Sequence, residues 1–341
     1  MSLPALAYQT LAPGLTICRL LNGLWQVSGA HGHIDQAKAI AEMLDYHDAG
    51  FTTWDLADHY GPAEDFIGLF RKKLAQERGN EALQQSQAFT KWVPRPGRMS
   101  REGVEQAIHT SLRRMGVETL DLLQFHWWDY RDMNYLDALR HLSDLQRAGK
   151  IRYVALTNFD TERLKLISEH GLRIASNQIQ FSLVDRRPMQ QMSAFCLTQG
   201  IQLLTYGTYC GGLLSEAYVG APEPDYTTLN TASLRKYKNM IDAWGDWSLF
   251  QELLRVCQQV ARKHGVSLAN VAVRYVLEQP AVGGVIVGAR LGVTQHRTDN
   301  ARVFTFALDA EDRTLLEAAS GEGRDLMQVI GDCGDEYRRP R

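Results

Sequence analysis

Apolar and polar positions recur along the chain in a fixed order. A short apolar run ends in polar residues, and a longer stretch with apolar positions every three or four residues follows. The short runs predict strands within residues 16–27, from Phe51, and over 88–93, 119–126, 151–159, 174–181, 201–206 and 284–289. The spacing between them predicts helices over 36–47 with Asp35 as N-cap, 64–78, 100–116, 136–146, 189–198, 249–263 and 268–278. Thr161 is expected to cap the helix that follows residues 151–159. Strands alternating with helices imply a parallel sheet. About eight such units close the sheet into a (β/α)8 TIM barrel. A doubly wound open sheet is the competitor, but it normally carries G-x-G-x-x-G after its first strand, and the chain has none. Residues 1–341 are therefore expected to form one barrel domain. Residues 215–247 fit no unit and are polar and aromatic (Tyr218, Tyr226, Tyr237, Trp244, Trp247). Two readings stay open for them: a lid over the C-terminal face, or a surface loop packed on the outside.

Composition narrows the picture. At 341 residues and 45% hydrophobic content, the chain can bury a large core. Its net charge is −2 with both signs interleaved, which argues against nucleic acid or an anionic membrane as partner. Five scattered cysteines without a C-x-x-C pair argue against a zinc site or disulfide framework and for reduced thiols in the cytoplasm. The N-terminal stretch lacks the basic lead and apolar run of a signal peptide, and no apolar stretch is long enough to span a bilayer. A soluble cytoplasmic protein without a metal site is expected, its oligomeric state left open.

Candidate chemistry collects at strand ends. In a barrel these point into one cavity, and three consecutive strands end in ionisable residues: Asp55 with Tyr60 beyond it, Lys91, and His126. Singly, each has a bland reading, as helix cap, solvated lysine or structural histidine. Lys91, however, sits between Phe89-Thr90 and Trp92-Val93, a poor place for a solvated charge. Together they make chemical sense. A tyrosine titrating near pH ~10 is a weak acid, a nearby ammonium held by a carboxylate lowers that value, and a histidine can hydrogen-bond and orient a carbonyl. Such a tyrosine protonates an alkoxide as it forms, which suits carbonyl reduction by hydride.

With Asp55, Tyr60, Lys91 and His126 in this order and a five-residue step from Asp to Tyr, the chain resembles the aldo-keto reductase family, from Asn22-Gly23-Leu24-Trp25 to Asp299-Asn300. The resemblance implies Tyr60 as general acid, Lys91 and Asp55 tuning it, and His126 orienting the carbonyl. It also implies a nicotinamide cofactor. Gly23, Leu24, Trp25 and Asp55 would lie by its nicotinamide end, Thr157, Asn158 and Gln178 would hold the carboxamide, and Tyr206 would stack on the ring. The loop from Gly207 and Tyr209 to Leu214 resembles the pyrophosphate loop, with Gly-Thr in place of the usual Ser-Pro. Gly288, Arg290, Gln295 and Asn300 resemble the adenosine-phosphate segment, spaced a residue or two wider than the commoner form. Arg290 or Arg297 pairing a 2′-phosphate favours NADPH, with NADH the alternative because Asp299 lies nearby.

Trp25, Trp92 and Trp127 at or past strand ends, with Trp128 competing with Trp127 for the inward direction, are the expected walls of a substrate pocket. No arginine or lysine stands out as awaiting a charged substrate, so small aldehydes or ketones with an apolar or flat body are expected. Besides an NADPH-dependent reductase, two readings remain: a cofactor-binding regulatory subunit of the channel β-subunit type with little turnover, and a Schiff-base enzyme using Lys91 as nucleophile.

Overall fold

The computed structural model describes residues 3–29, 32 and 34–338; Met1 and Ser2 of the N-terminal stretch lie outside them. An antiparallel hairpin, β1 (Tyr8–Ala12) and β2 (Leu15–Cys18), precedes the barrel. The barrel strands are β3 (Leu20–Gly23), β4 (Thr53–Asp55), β5 (Gln87–Trp92), β6 (Leu122–His126), β7 (Val154–Thr157), β8 (Ser176–Gln180), β9 (Gln202–Tyr206) and β10 (Val282–Gly288). Each pairs in parallel with its successor, and β10 returns to β3 to close the barrel. The architecture is the (β/α)8 barrel.

Helices α1 (Gln36–Asp48), α2 (Ala63–Gln85), α3 (Arg101–Met115), α4 (Tyr135–Arg147), α5 (Thr161–Glu169) and α6 (Met192–Gln199) follow the first strands. After β9 come α7 (Ala232–Trp244), α8 (Trp247–His264) and α9 (Leu268–Leu277). After β10 come α10 (Arg297–Ala301), α11 (Ala310–Gly321) and α12 (Leu326–Val329). Their starts have local causes. Asp35 caps α1 by accepting from the Lys38 N–H at 2.8 Å, and Ser100 caps α3 by accepting from Gly103 at 3.2 Å.

Four expectations are corrected. The strand region 16–27 is two strands, because Leu15 and Ile17 of β2, with Leu11 of β1, plug the bottom of the barrel against Leu21, Phe89, Leu122, Ala155 and Leu204. Asp160, not Thr161, caps α5, its carboxylate accepting from the Arg163 N–H at 2.7 Å. The helix expected over 64–78 continues past a kink at Gly79, whose φ of 85° interrupts it. Residues 215–247 contain α7, whose Tyr237, Met240, Ile241 and Trp244 form a buried stripe at helical spacing.

Candidate active site

Period-two alternation decides which strand residues enter the barrel. In β4, Trp54 packs outward on Tyr46 and Phe70, with ring centroids 6.1 and 5.3 Å away, so Asp55 turns inward. In β5, Lys91 turns inward and Trp92 outward onto Phe125, 5.5 Å away. In β6, Gln124 and His126 turn inward. Trp127 is fully buried outside the barrel, and its indole N–H donates to Asp129 O at 2.9 Å and Asp132 O at 2.8 Å. Trp92 and Trp127 therefore do not line the cavity expected of them, whereas Trp25 and Trp128 do. Trp128 stands edge-on to His126 with centroids 4.4 Å apart.

The cavity, about 330 Å³, opens at the C-terminal ends of the strands and is lined by Asp55, Tyr60, Lys91 and His126 together. The Lys91 ammonium donates to Asp55 Oδ2 at 2.6 Å and to Leu56 O at 2.9 Å. Asp55 Oδ1 accepts from Gln124 Nε2 at 2.8 Å and from Gln178 Nε2 at 2.7 Å. Both carboxylate oxygens are thus committed, which fixes the carboxylate and, through it, the ammonium. Lys91 Nζ lies 5.2 Å from the centroid of the Tyr60 ring. Burial lowers the pKa of Lys91 against the opposing pull of Asp55. The expected lowering of the Tyr60 pKa is reversed in this structure. Burial pushes it well above the usual tyrosine range, with the charge of Asp55 and then Tyr337 and Asp58 adding to the rise. The ammonium is already neutralised by Asp55, so the phenol keeps its proton at neutral pH.

His126 Nδ1 lies 3.0 Å from Thr157 O. A carbonyl only accepts, so Nδ1 carries the hydrogen and Nε2 of the neutral ring is an acceptor. Among the described residues, buried Nε2 has no hydrogen-bond partner. Burial, and then the charge of Arg338, push the imidazole pKa down to about 3, so the ring is neutral.

Of the expected cofactor residues, Gly23, Trp25, Thr157, Asn158 and Gln178 line the same cavity, as do Tyr206, Gly207, Tyr209 and Gly288. Thr157 Oγ1 is buried and has no hydrogen-bond partner among the described residues. Asn158 Oδ1 accepts from the Tyr206 hydroxyl at 2.7 Å. Leu24 is buried, its side chain in the core and its N–H donating to Asp55 O at 2.8 Å. Arg290 and Gln295 are exposed beyond β10, and Asn300 lies on α10, all outside this cavity. Arg297 is engaged with Asp45 at 2.9 Å, and Asp299 accepts from Ser267 at 2.8 Å and Asn270 at 3.1 Å.

Several lining residues were not read from the sequence. Lys236 and Tyr237 come from α7, and Tyr337 from the C-terminal segment. That segment crosses the mouth because Arg187 grips it. The guanidinium binds Asp185 at 2.8 and 2.7 Å and reaches Glu336 Oε2 at 3.0 Å and Asp332 O at 2.9 Å. Asp332 in turn accepts from the Thr161 N–H at the start of α5, at 2.7 Å.

Comparison with known proteins matches the sequence to a family. The aldo/keto reductase family model matches residues 19–320. Flagellar radial spoke protein 5 of Chlamydomonas reinhardtii is 32% identical over 180 residues, 47% of this chain and 34% of that protein. Protein tas of Escherichia coli is 30% identical over 212 residues, 56% of this chain and 59% of that protein. The matches thus span less than two thirds of each of these two relatives. The structure of a glycerol dehydrogenase from Gluconobacter oxydans shares the fold, with a TM-score of 0.73 at 22% identity over 96% of this chain and 98% of that one. Because the family match runs from the first barrel strand through α11, the chain belongs to the aldo/keto reductase family, a family of NAD(P)H-dependent oxidoreductases.

Proposed function

We propose that the protein reduces small aldehydes or ketones to alcohols by hydride transfer from NADPH, with Tyr60 as general acid. The observation that carries the reading is the convergence of Tyr60, the Lys91–Asp55 ion pair and His126 on one cavity. The wall of that cavity fits a nicotinamide cofactor. Thr157 Oγ1 is a buried hydroxyl, without a partner among the described residues, beside Asn158 and Gln178. The loop after β9 takes left-handed φ at Gly207, Cys210, Gly211 and Gly212, a backbone form that makes anion-binding concavities. Bound there, NAD(P)H supplies the hydride. NADPH is favoured because the Arg290 guanidinium is exposed beyond β10, and the Asp299 carboxylate is turned toward Ser267 and Asn270.

The chain's own residues handle the proton. Tyr60, kept protonated by burial, gives its phenolic hydrogen to the carbonyl oxygen as negative charge develops there. Lys91, its nitrogen 5.2 Å from the centre of the Tyr60 ring, is a cation beside the phenolate that forms. Asp55, itself held by Gln124 and Gln178, keeps the ammonium in place. His126 takes a hydrogen bond at Nε2 rather than giving one, so it orients the hydroxyl of the forming alcohol. This revises the expectation that the imidazole donates to the carbonyl. Lys91 is committed to Asp55 as an ammonium, which disfavours its use as a Schiff-base nucleophile. The five cysteines are buried free thiols, in keeping with a reducing, cytoplasmic setting.

The test is Tyr60→Phe. With 4-nitrobenzaldehyde, followed by loss of NADPH absorbance, turnover falls by about 10²- to 10⁴-fold, the usual worth of a general acid. Titrations of the same variant keep the wild-type affinity for NADPH and its preference over NADH. Undiminished turnover overturns the mechanism, and a wild-type protein that binds cofactor without turning over favours the regulatory reading.

A further inference from the structure

The charges lining the cavity do not cancel. Asp55 and Lys91 neutralise one another, and His126 is neutral, which leaves the ammonium of Lys236. Among the described residues no carboxylate lies at ion-pair distance from it, whereas Lys238, two positions on, pairs with Glu223 at 2.7 Å and Asp242 at 2.5 Å. Glu336 acts on Lys236 only from beyond ion-pair distance; its Oε2 accepts from Arg187 and the Gly334 N–H, and its Oε1 has no hydrogen-bond partner among the described residues. Lys236 Nζ instead faces three rings, those of Tyr206, Tyr237 and Tyr337, at 4.7, 5.1 and 4.7 Å from their centroids. It donates one hydrogen bond, to the Tyr337 hydroxyl. An ammonium has three N–H donors, so two remain without a protein acceptor among the described residues. Ring faces hold a cation in place but do not neutralise it.

The position relates this charge to the reacting centre. The Tyr337 ring lies 6.3 Å from the His126 ring, and its hydroxyl contacts Lys236. Lys236 therefore stands about one aromatic ring away from the place where the carbonyl is handled. Tyr337 also lies beyond residues 19–320, the part matched by the family model.

We propose that Lys236, positioned by Tyr337, Tyr206 and Tyr237, receives a carboxylate or phosphate carried by the carbonyl substrate, and that the protein prefers anionic aldehydes or ketones with the charge about a ring's width from the carbonyl. This rests on the reductase reading above. It replaces the sequence expectation that no basic residue awaits a charged substrate, since the lysine is brought to the site by α7.

The test compares 4-carboxybenzaldehyde with 4-nitrobenzaldehyde in wild type, Lys236→Met, Lys236→Arg and Tyr337→Phe, with NADPH affinity measured by fluorescence. Lys236→Met is expected to lower kcat/KM for the carboxylate about 10- to 100-fold, chiefly through KM, as the loss of a hydrogen bond to a charged group does. It leaves the nitro compound and NADPH affinity unchanged, and Lys236→Arg restores most of the loss. Tyr337→Phe removes the tether but not the ammonium, so the preference for carboxylate persists. Equal losses for both aldehydes, or a loss traced to weaker NADPH binding, overturn the proposal; the second outcome places the ammonium on the cofactor's diphosphate. Should the wild type turn over neither aldehyde, the reductase reading fails. Calorimetry then still decides Lys236, through tighter binding of 4-carboxybenzaldehyde to wild type than to Lys236→Met, or the absence of any difference. If Lys236→Met does not fold, Lys236→Gln serves in its place.

Discussion

His126 has one ring nitrogen committed and one without a partner among the described residues. The Nδ1–H donates to Thr157 O, and burial keeps the ring neutral down to about pH 3. The consequence for stability has a definite sign. Between the ordinary histidine value of 6.5 and about 3, the unfolded chain binds a proton that the folded chain excludes. Stability therefore rises with pH across that window, by about 1.4 kcal/mol per unit from this residue. His126→Gln lacks this loss on the acid side. The stability gap between wild type and variant, from urea unfolding, is expected to move in the variant's favour by about 2–3 kcal/mol from about pH 7 to about pH 4.5. A gap that does not change with pH contradicts the neutral ring. At this scale the sequence showed which residue types end which strands. It did not show the direction of the Tyr60 pKa, because that depends on how much water is excluded and on whether Asp55 has already cancelled the ammonium.

Between elements, the loop after β9 is held against α7. Gly207 has φ +73°, and a Cβ there would lie 2.5 Å from the Tyr237 ring and hydroxyl. Gly212 has φ +106° with open space around it. Alanine at either position meets backbone strain, of about 1–2 kcal/mol for a left-handed residue, but only at 207 does it also displace a cavity wall. Gly207→Ala is expected to weaken NADPH binding at least about tenfold, that is by about 1.4 kcal/mol, and to weaken it more than Gly212→Ala, as read by fluorescence titration. Equal effects would mean that strain alone matters. Element legibility was uneven for related reasons. Strands and most helices were readable from periodicity, whereas α7 was hidden because its buried stripe includes Tyr237 and Trp244 among charged neighbours. Trp92 and Trp127 were misassigned although alternation excludes them once Lys91 and His126 point inward.

Across the whole molecule, the feature that joins distant parts is the C-terminal segment. Arg187 binds Asp185 beside it and Glu336 and Asp332 far along the chain, and Arg338 donates to Trp127 O at 2.8 Å. Arg187→Met leaves two buried carboxylates without their cation, an imbalance that typically costs about 3–5 kcal/mol. It is expected to lower the unfolding midpoint and to speed amide exchange across residues 332–338 before the barrel strands. Unchanged protection of that segment would show that the network does not hold it.

By itself the sequence determined the barrel, because short apolar runs alternating with helical spacing are local properties and about eight units close a parallel sheet. It also placed Asp55, Lys91 and His126 at adjacent strand ends, since neighbouring strands in sequence are neighbours in the sheet. What only the tertiary structure decided lies outside that nearest-neighbour logic. The hairpin under the barrel, Lys236 from α7 and Tyr337 from the C-terminus reach the core or the cavity through contacts between segments far apart in the chain. Their energies come from packing and desolvation, which no local pattern of residues encodes.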